Sequence, residues 1–296
     1  MPSGQAEPRL GRHPAQARLA PVDDPDRPHL HPGTLAIYRI TAAPSCETTA
    51  MSGDAPITLA DDDPVAVRLV LAIRTGNTSA IKRLLNADPL LARARIGVRG
   101  GTRTPLHVVT DWPGYFPDGP QTARLLIAAG AEVDALTTPT SPETPLHWAA
   151  SSDDVDVAEV LIDAGADIEK PDGSIGTPLD NAIGYSCWHV ARLLAARGAR
   201  IDKLWHAAAL GMLARLQELL DAEQTEDQIS QAFWHACAAG QRRAAELLLA
   251  EGASLDWVPG YASGTPLDAA GSLGTRQENI LTWLRELDAP SASQPD

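Results

Sequence analysis

Residues 144–169 read TPLHWAASSDDVDVAEVLIDAGADIE, and this stretch decides the fold. Thr144 suits a helix N-cap, and Pro145 takes the first helical position, where a missing N–H is no loss. Leu146, Ala149 and Ala150 give a short helix one narrow apolar face. The polar run 151–154 ends it, and Val157, Val160, Leu161 and Ala164 restart the helical period. Gly165 then stands where a left-handed residue closes a helix. Two helices this short cannot bury their apolar faces without neighbours of the same shape.

Copies occur along the chain. Thr-Pro-Leu recurs at Thr104, Thr144, Thr177 and Thr265, and Gly-Ala at Gly130, Gly165, Gly198 and Gly252. Thr144 to Thr177 spans 33 residues, as does Gly165 to Gly198. Four starts and four ends in register resemble the ankyrin repeat, and the resemblance, to a protein of bacterial type, runs from about residue 64 to 289. It implies an all-α solenoid of about seven helix-turn-helix units with short β-hairpin fingers. It also implies a structural repeat motif carried by Thr104, Pro105 and His107, by Thr144, Pro145 and His147, by Thr177 and Pro178, and by Thr265 and Pro266.

The repeat reading divides the chain into an extension over 1–55, an ankyrin repeat domain over 56–289 and a flexible tail over 290–296. Eight of the 24 prolines fall in the first 50 residues, and no helical or strand period runs through them, so the extension is expected to be disordered. Met51 opens what resembles an ordinary protein start, so residues 1–50 are alternatively a non-native addition. Residues 64–91 form an N-terminal cap without Thr-Pro-Leu, in which Val65–Arg74 and Thr78–Leu91 are the two helices. Residues 93–103, with Gly97, Gly100 and Gly101, form the first finger. The second unit carries five extra residues within Thr110 to Pro120 (TDWPGYFPDGP). Units five and six replace the opening motif with Trp-His-Ala and look like two shortened helical hairpins. Counting back from Gly211 and Gly240 puts Trp205 and Trp234 in the histidine position.

The formal charge is −14, and the five Arg and five acids of residues 1–50 cancel, so the excess lies in the repeats. That argues against a nucleic acid and favours a basic protein partner. Three scattered cysteines, Cys46, Cys187 and Cys237, read as reduced thiols of a cytoplasmic protein. No run of 18 apolar residues is present, so no membrane span is expected, and no export signal is legible. The chain is expected to be a monomer without cofactor.

His107 and His147 tempt a catalytic reading, but they recur with the motif, and the resemblance implies that such a histidine bonds back and fixes the turn. His206 and His235 are spread along the stack, where they cannot converge on one metal ion. Asp153, Asp154 and Asp156 suit a helix N-terminus better than a metal. No nucleophile motif or phosphate loop is present. The chain is therefore expected not to be an enzyme but a protein-binding module, acting through its concave face and fingers. Candidate contacts are Arg99 and Arg103 on the first finger and Trp112, Tyr115 and Phe116 on the insert. Trp148 on a helix, with Trp257 and Tyr261 on the last finger, completes the set. An inhibitor or immunity-type regulator blocking one enzyme or toxin is the alternative, and an enzyme with a site hidden between repeats is a third reading.

Overall fold

Each Thr-Pro-Leu opens a helix for a local reason. In the computed structural model, which describes residues 56–137, 142–272 and 278–292, all four threonines hold extended backbone and a capping box. The threonine N–H donates to the side chain three residues on: His107 Nδ1 and His147 Nδ1 at 3.2 Å each, Asp180 Oδ2 at 2.8 Å and Asp268 Oδ2 at 3.0 Å. Fourteen helices follow in seven antiparallel pairs among the described residues. They are α1 Pro64–Arg74 with α2 Thr78–Ala87, α3 Pro105–Val109 with α4 Gly119–Ala128, and α5 Pro145–Ser152 with α6 Val155–Asp163. Then come α7 Pro178–Gly184 with α8 Trp188–Ala196, α9 Leu204–Leu210 with α10 Leu213–Leu220, α11 Glu226–Ala238 with α12 Arg242–Ala250, and α13 Pro266–Gly271 with α14 Glu278–Glu286. The solenoid of about seven helix-turn-helix units is therefore present.

Several details differ from the sequence expectation. The second cap helix stops at Ala87, short of residue 91, because Pro89 has no N–H to continue it; Asp88 instead caps a 3₁₀ turn, Pro89–Arg93. The first finger is a hairpin of β2 Arg95–Val98 and β3 Gly101–Arg103, with Gly100 at φ +88° in its turn. A third strand, β1 Thr58–Leu59, pairs parallel with β2 and extends it to a small sheet. The first helix of unit six, α11, is long at 13 residues and starts early because Thr225 and Gln228 form a capping box of their own. Pro290, Ser291 and Ala292, placed in a flexible tail by the sequence, close on unit seven. Ser291 Oγ and the Ala292 N–H donate to Asp268, and Thr265 Oγ1 donates to the Pro290 carbonyl. The extension over 1–55, with Cys46, lies outside the described residues, as does 293–296.

The core mixes alanine with leucine, isoleucine and valine side chains on facing helices. It falls into two clusters, one running from Ala66 to Ala209 and the other from Leu204 to Ala289. Ile201 and Trp205 pack against both. No described helix is long and apolar enough to cross a membrane.

Candidate functional site

The motif residues face inward and join neighbouring units. His107 Nδ1 accepts from the Thr104 N–H, so its proton sits on Nε2, which donates 3.0 Å to the Glu143 carbonyl just before the next Thr-Pro-Leu. His147 repeats this toward the Gly176 carbonyl at 3.1 Å. Burial lowers the pKa of both rings, that of His107 to about 3. Unit four carries Asp180 in that place, and the bond runs the other way. His206 Nε2 and Lys203 Nζ of unit five both reach back to Asp180 Oδ1 at 2.7 Å. Burial alone would raise the Asp180 pKa, but the His206 and Lys203 bonds outweigh it and hold it low.

His206, not Trp205, lies three residues after the cap of its helix, and it is buried while Trp205 is half-buried. The offset arises because α9 is one residue shorter than α5, with seven residues against eight. His235 is likewise buried, stacked between Trp205 at 4.9 Å and Tyr261 at 6.1 Å, and bonded to the Tyr261 hydroxyl at 2.9 Å. Burial takes its pKa to about 3.

The acids also bridge units. Asp154 caps its own helix through the Val157 N–H, while Asp153 accepts from the His189 and Val190 N–H groups and so caps α8 of the following unit. Glu143 is a junction that sequence reasoning missed. Its carboxylate accepts from Trp148 Nε1, the Ser174 N–H and Asn181 Nδ2, tying units three and four together. Among the described residues no group of His, Cys, Asp or Glu is placed to hold a metal ion. Cys187 and Cys237 are buried free thiols, and burial raises the pKa of both, Cys187 to about 12.

The candidate contact residues separate into two groups. Tyr261 is turned into the stack, and burial raises its hydroxyl pKa to about 12. Trp257 Nε1 donates to Asp227, and Trp148, half-buried, meets His107 edge-on at 5.1 Å. Tyr115 donates its N–H to Asp154 and its hydroxyl to the Asp153 carbonyl, and Phe116 lies under the Arg74 guanidinium at 6.0 Å. The insert thus bridges units one and three. Tyr115 stays 54% exposed despite these bonds, Trp112 is 66% exposed, and Arg99 stands exposed at the hairpin turn.

Arg99 lines a groove of about 470 Å³ between α1 and the first hairpin, and Trp112 follows Asp111, which bonds to Arg74 and Arg103 of its wall. Its wall includes Val67, Leu71 and Arg74, at the i, i+4 and i+7 positions of α1, facing Val98, Arg99 and Arg103. Val67 and Leu71 are 48% and 60% exposed. Asp111 ties the wall to the insert, accepting from Arg74 and from Arg103 at 2.7 Å each. Sequence reasoning missed Val67, Leu71, Arg74 and Val98. The available signal was a second apolar face on α1, beside the buried one of Ala66, Leu69 and Ile73.

The repeats are similar to those of known proteins. Residues 115–203 match the family model for ankyrin repeats (3 copies). Ankyrin repeat and SOCS box protein 16 of Homo sapiens is 33% identical over 179 residues, which is 60% of this chain and 35% of that protein. B-cell lymphoma 3 protein of Homo sapiens is 29% identical over 158 residues, 51% of this chain and 33% of that one. A solved structure of the ankyrin repeat domain of Bcl-3, described as a unique member of the IkappaB protein family, shares 26% identity at a TM-score of 0.42 and covers 74% of this chain and 97% of that one. The chain spans about a third of the length of these two curated relatives. Over residues 115–203 the chain carries ankyrin repeats.

Proposed function

We propose that the chain is a non-catalytic module that binds another protein through its concave face and fingers, with the first finger and α1 as the principal contact. One observation carries this. Of the seven exposed large hydrophobic residues among those described, five (Val67, Leu71, Val98, Trp112 and Tyr115) belong to units one and two. Clustered exposed apolar side chains mark interaction surfaces, whereas scattered ones need no explanation. Stacked repeats present such a surface preformed, which lowers the ordering cost of binding. We further assign it a monomeric, cytoplasmic role with no nucleic acid or membrane partner. The overall charge of −14 favours basic partners at long range.

Photo-crosslinking tests this reading. A photoreactive amino acid replaces Leu71, Trp112 or, as a control, the exposed-helix residue Glu246, and each chain is irradiated in native extract. A discrete protein adduct at Leu71 and Trp112 and none at Glu246 is expected. Equal labelling at all three, or none at the first two, would overturn it.

A further inference from the structure

The charge of the groove is opposite to that of the chain. The wall holds Arg74, Arg99 and Arg103 against the single carboxylate of Asp61. Asp111 takes one bond from Arg74 and one from Arg103, so it neutralises at most one of the two. Arg74 remains 44% exposed in its ion pair, whereas Arg103 is 14% exposed. Arg99 projects from the hairpin turn and makes no ion pair among the described residues. Between these guanidinium groups run Val67, Leu71 and Val98, with Trp112 following Asp111 in the chain. The chain's negative charge does not decide what enters. Screening limits surface charges to a range of about 8 Å at physiological salt, so inside the groove the nearest arginines dominate. Basic side chains would meet like charge there, and purely apolar ones would leave the arginines unpaired.

We propose that this groove takes a short acidic segment of a partner protein. Its carboxylates pair with Arg99 and Arg74, and its interleaved apolar side chains lie on Val67, Leu71 and Val98. The assignment rests on the protein-binding reading above and names the chemistry of the bound segment. Arginine suits the role because its planar fork pairs with a carboxylate through two parallel bonds. The groove volume of about 470 Å³ suits a few side chains, within the range of about 300–1,000 Å³ common for binding pockets.

The test is selection of binders from a random peptide display library on the full chain, followed by affinity measurement of the selected peptides. Binding to the parent is compared with Arg99→Glu and Leu71→Asp, after circular dichroism shows both variants folded. Peptides rich in Asp and Glu with interspersed Leu, Ile or Phe are expected. Each variant should weaken them by about tenfold or more, and so should raising salt from about 50 to about 500 mM. Basic or neutral peptides that Leu71→Asp abolishes would overturn the acidic-segment assignment while leaving the groove as a binding surface. Peptides bound equally by parent and Leu71→Asp, or no selected peptides at all, would overturn both. A concentration-dependent dimer of the parent, lost in Leu71→Asp, would assign the groove to a second copy of the chain and also overturn the proposal.

Discussion

At the residue scale, a buried neutral imidazole is the repeated device, and it makes stability depend on pH. His107 and His235 have folded pKa values of about 3, against about 6.5 for a solvated histidine. The unfolded chain therefore takes up these protons first as pH falls. Stability is fully present above pH 6.5 and declines between 6.5 and 3, by about 1.4 kcal/mol per unit for each ring. Between pH 7.5 and 5.5 the two together should remove about 3 kcal/mol. Urea unfolding midpoints at the two pH values check this. A His107→Gln chain should be less stable at pH 7.5 yet lose less on acidification than the parent, because His147 and His235 still titrate. An unchanged midpoint in the parent would contradict the buried neutral state. Asp180 contributes with the same sign in a lower window. Its lowered pKa adds stability above the ordinary carboxylate range that is lost as pH falls through it.

At the scale of the element, the glycines that end helices differ in what surrounds them. Gly165 sits at φ +91° with nothing within 4 Å of an added Cβ, so Gly165→Ala should cost only the left-handed strain, about 1 kcal/mol. Gly76, at φ +65°, would place a Cβ 2.3 Å from the Pro117 carbonyl oxygen. Gly76→Ala should therefore cost about 3 kcal/mol or more and loosen the insert; thermal unfolding of the two variants orders them. Thr225→Ala should cost about 1 kcal/mol and fray the first turn of α11, read as faster amide exchange there. These elements show what sequence could give. Thr-Pro-Leu and Gly-Ala act on their own helix, so their caps and turns are legible one residue at a time. Thr225-x-x-Gln228 was equally local and could have been read as a cap. Asp153 capping α8, Glu143 joining two units and β1 pairing with β2 act between segments far apart in sequence, and no local pattern announces them. The groove needed α1 and the hairpin brought together before Val67, Leu71 and Arg99 became one surface.

For the whole molecule, the seam between the two core clusters falls where unit four, with Asp180 in place of the histidine, meets unit five, whose helix α9 starts directly after Asp202 and Lys203. A histidine at position 180 would be expected to reach forward to the next unit's backbone, as His107 and His147 do. Aspartate is too short for this, and the junction is closed by Lys203 and His206 reaching back, with Ile201 and Trp205 supplying the shared apolar contact. In a stack where each unit touches only its neighbours, cooperativity passes through every junction in series, and a weakened junction divides the chain into independently opening blocks. Asp180 is buried but Lys203 is 45% exposed, so removing the carboxylate charge costs less than the about 3–5 kcal/mol of a fully buried pair. Asp180→Asn keeps the side-chain shape and an oxygen for the Thr177 N–H but removes the charge that His206 and Lys203 share, leaving His206 only Asp202 at 3.8 Å. Hydrogen exchange at increasing urea should then show residues 204–286 and residues 64–196 opening at different concentrations, where the parent opens both together. Loss of protection spread evenly along the Asp180→Asn chain would mean that the apolar contact of Trp205 and Ile201 alone carries the junction, and that the polar cluster only fills it.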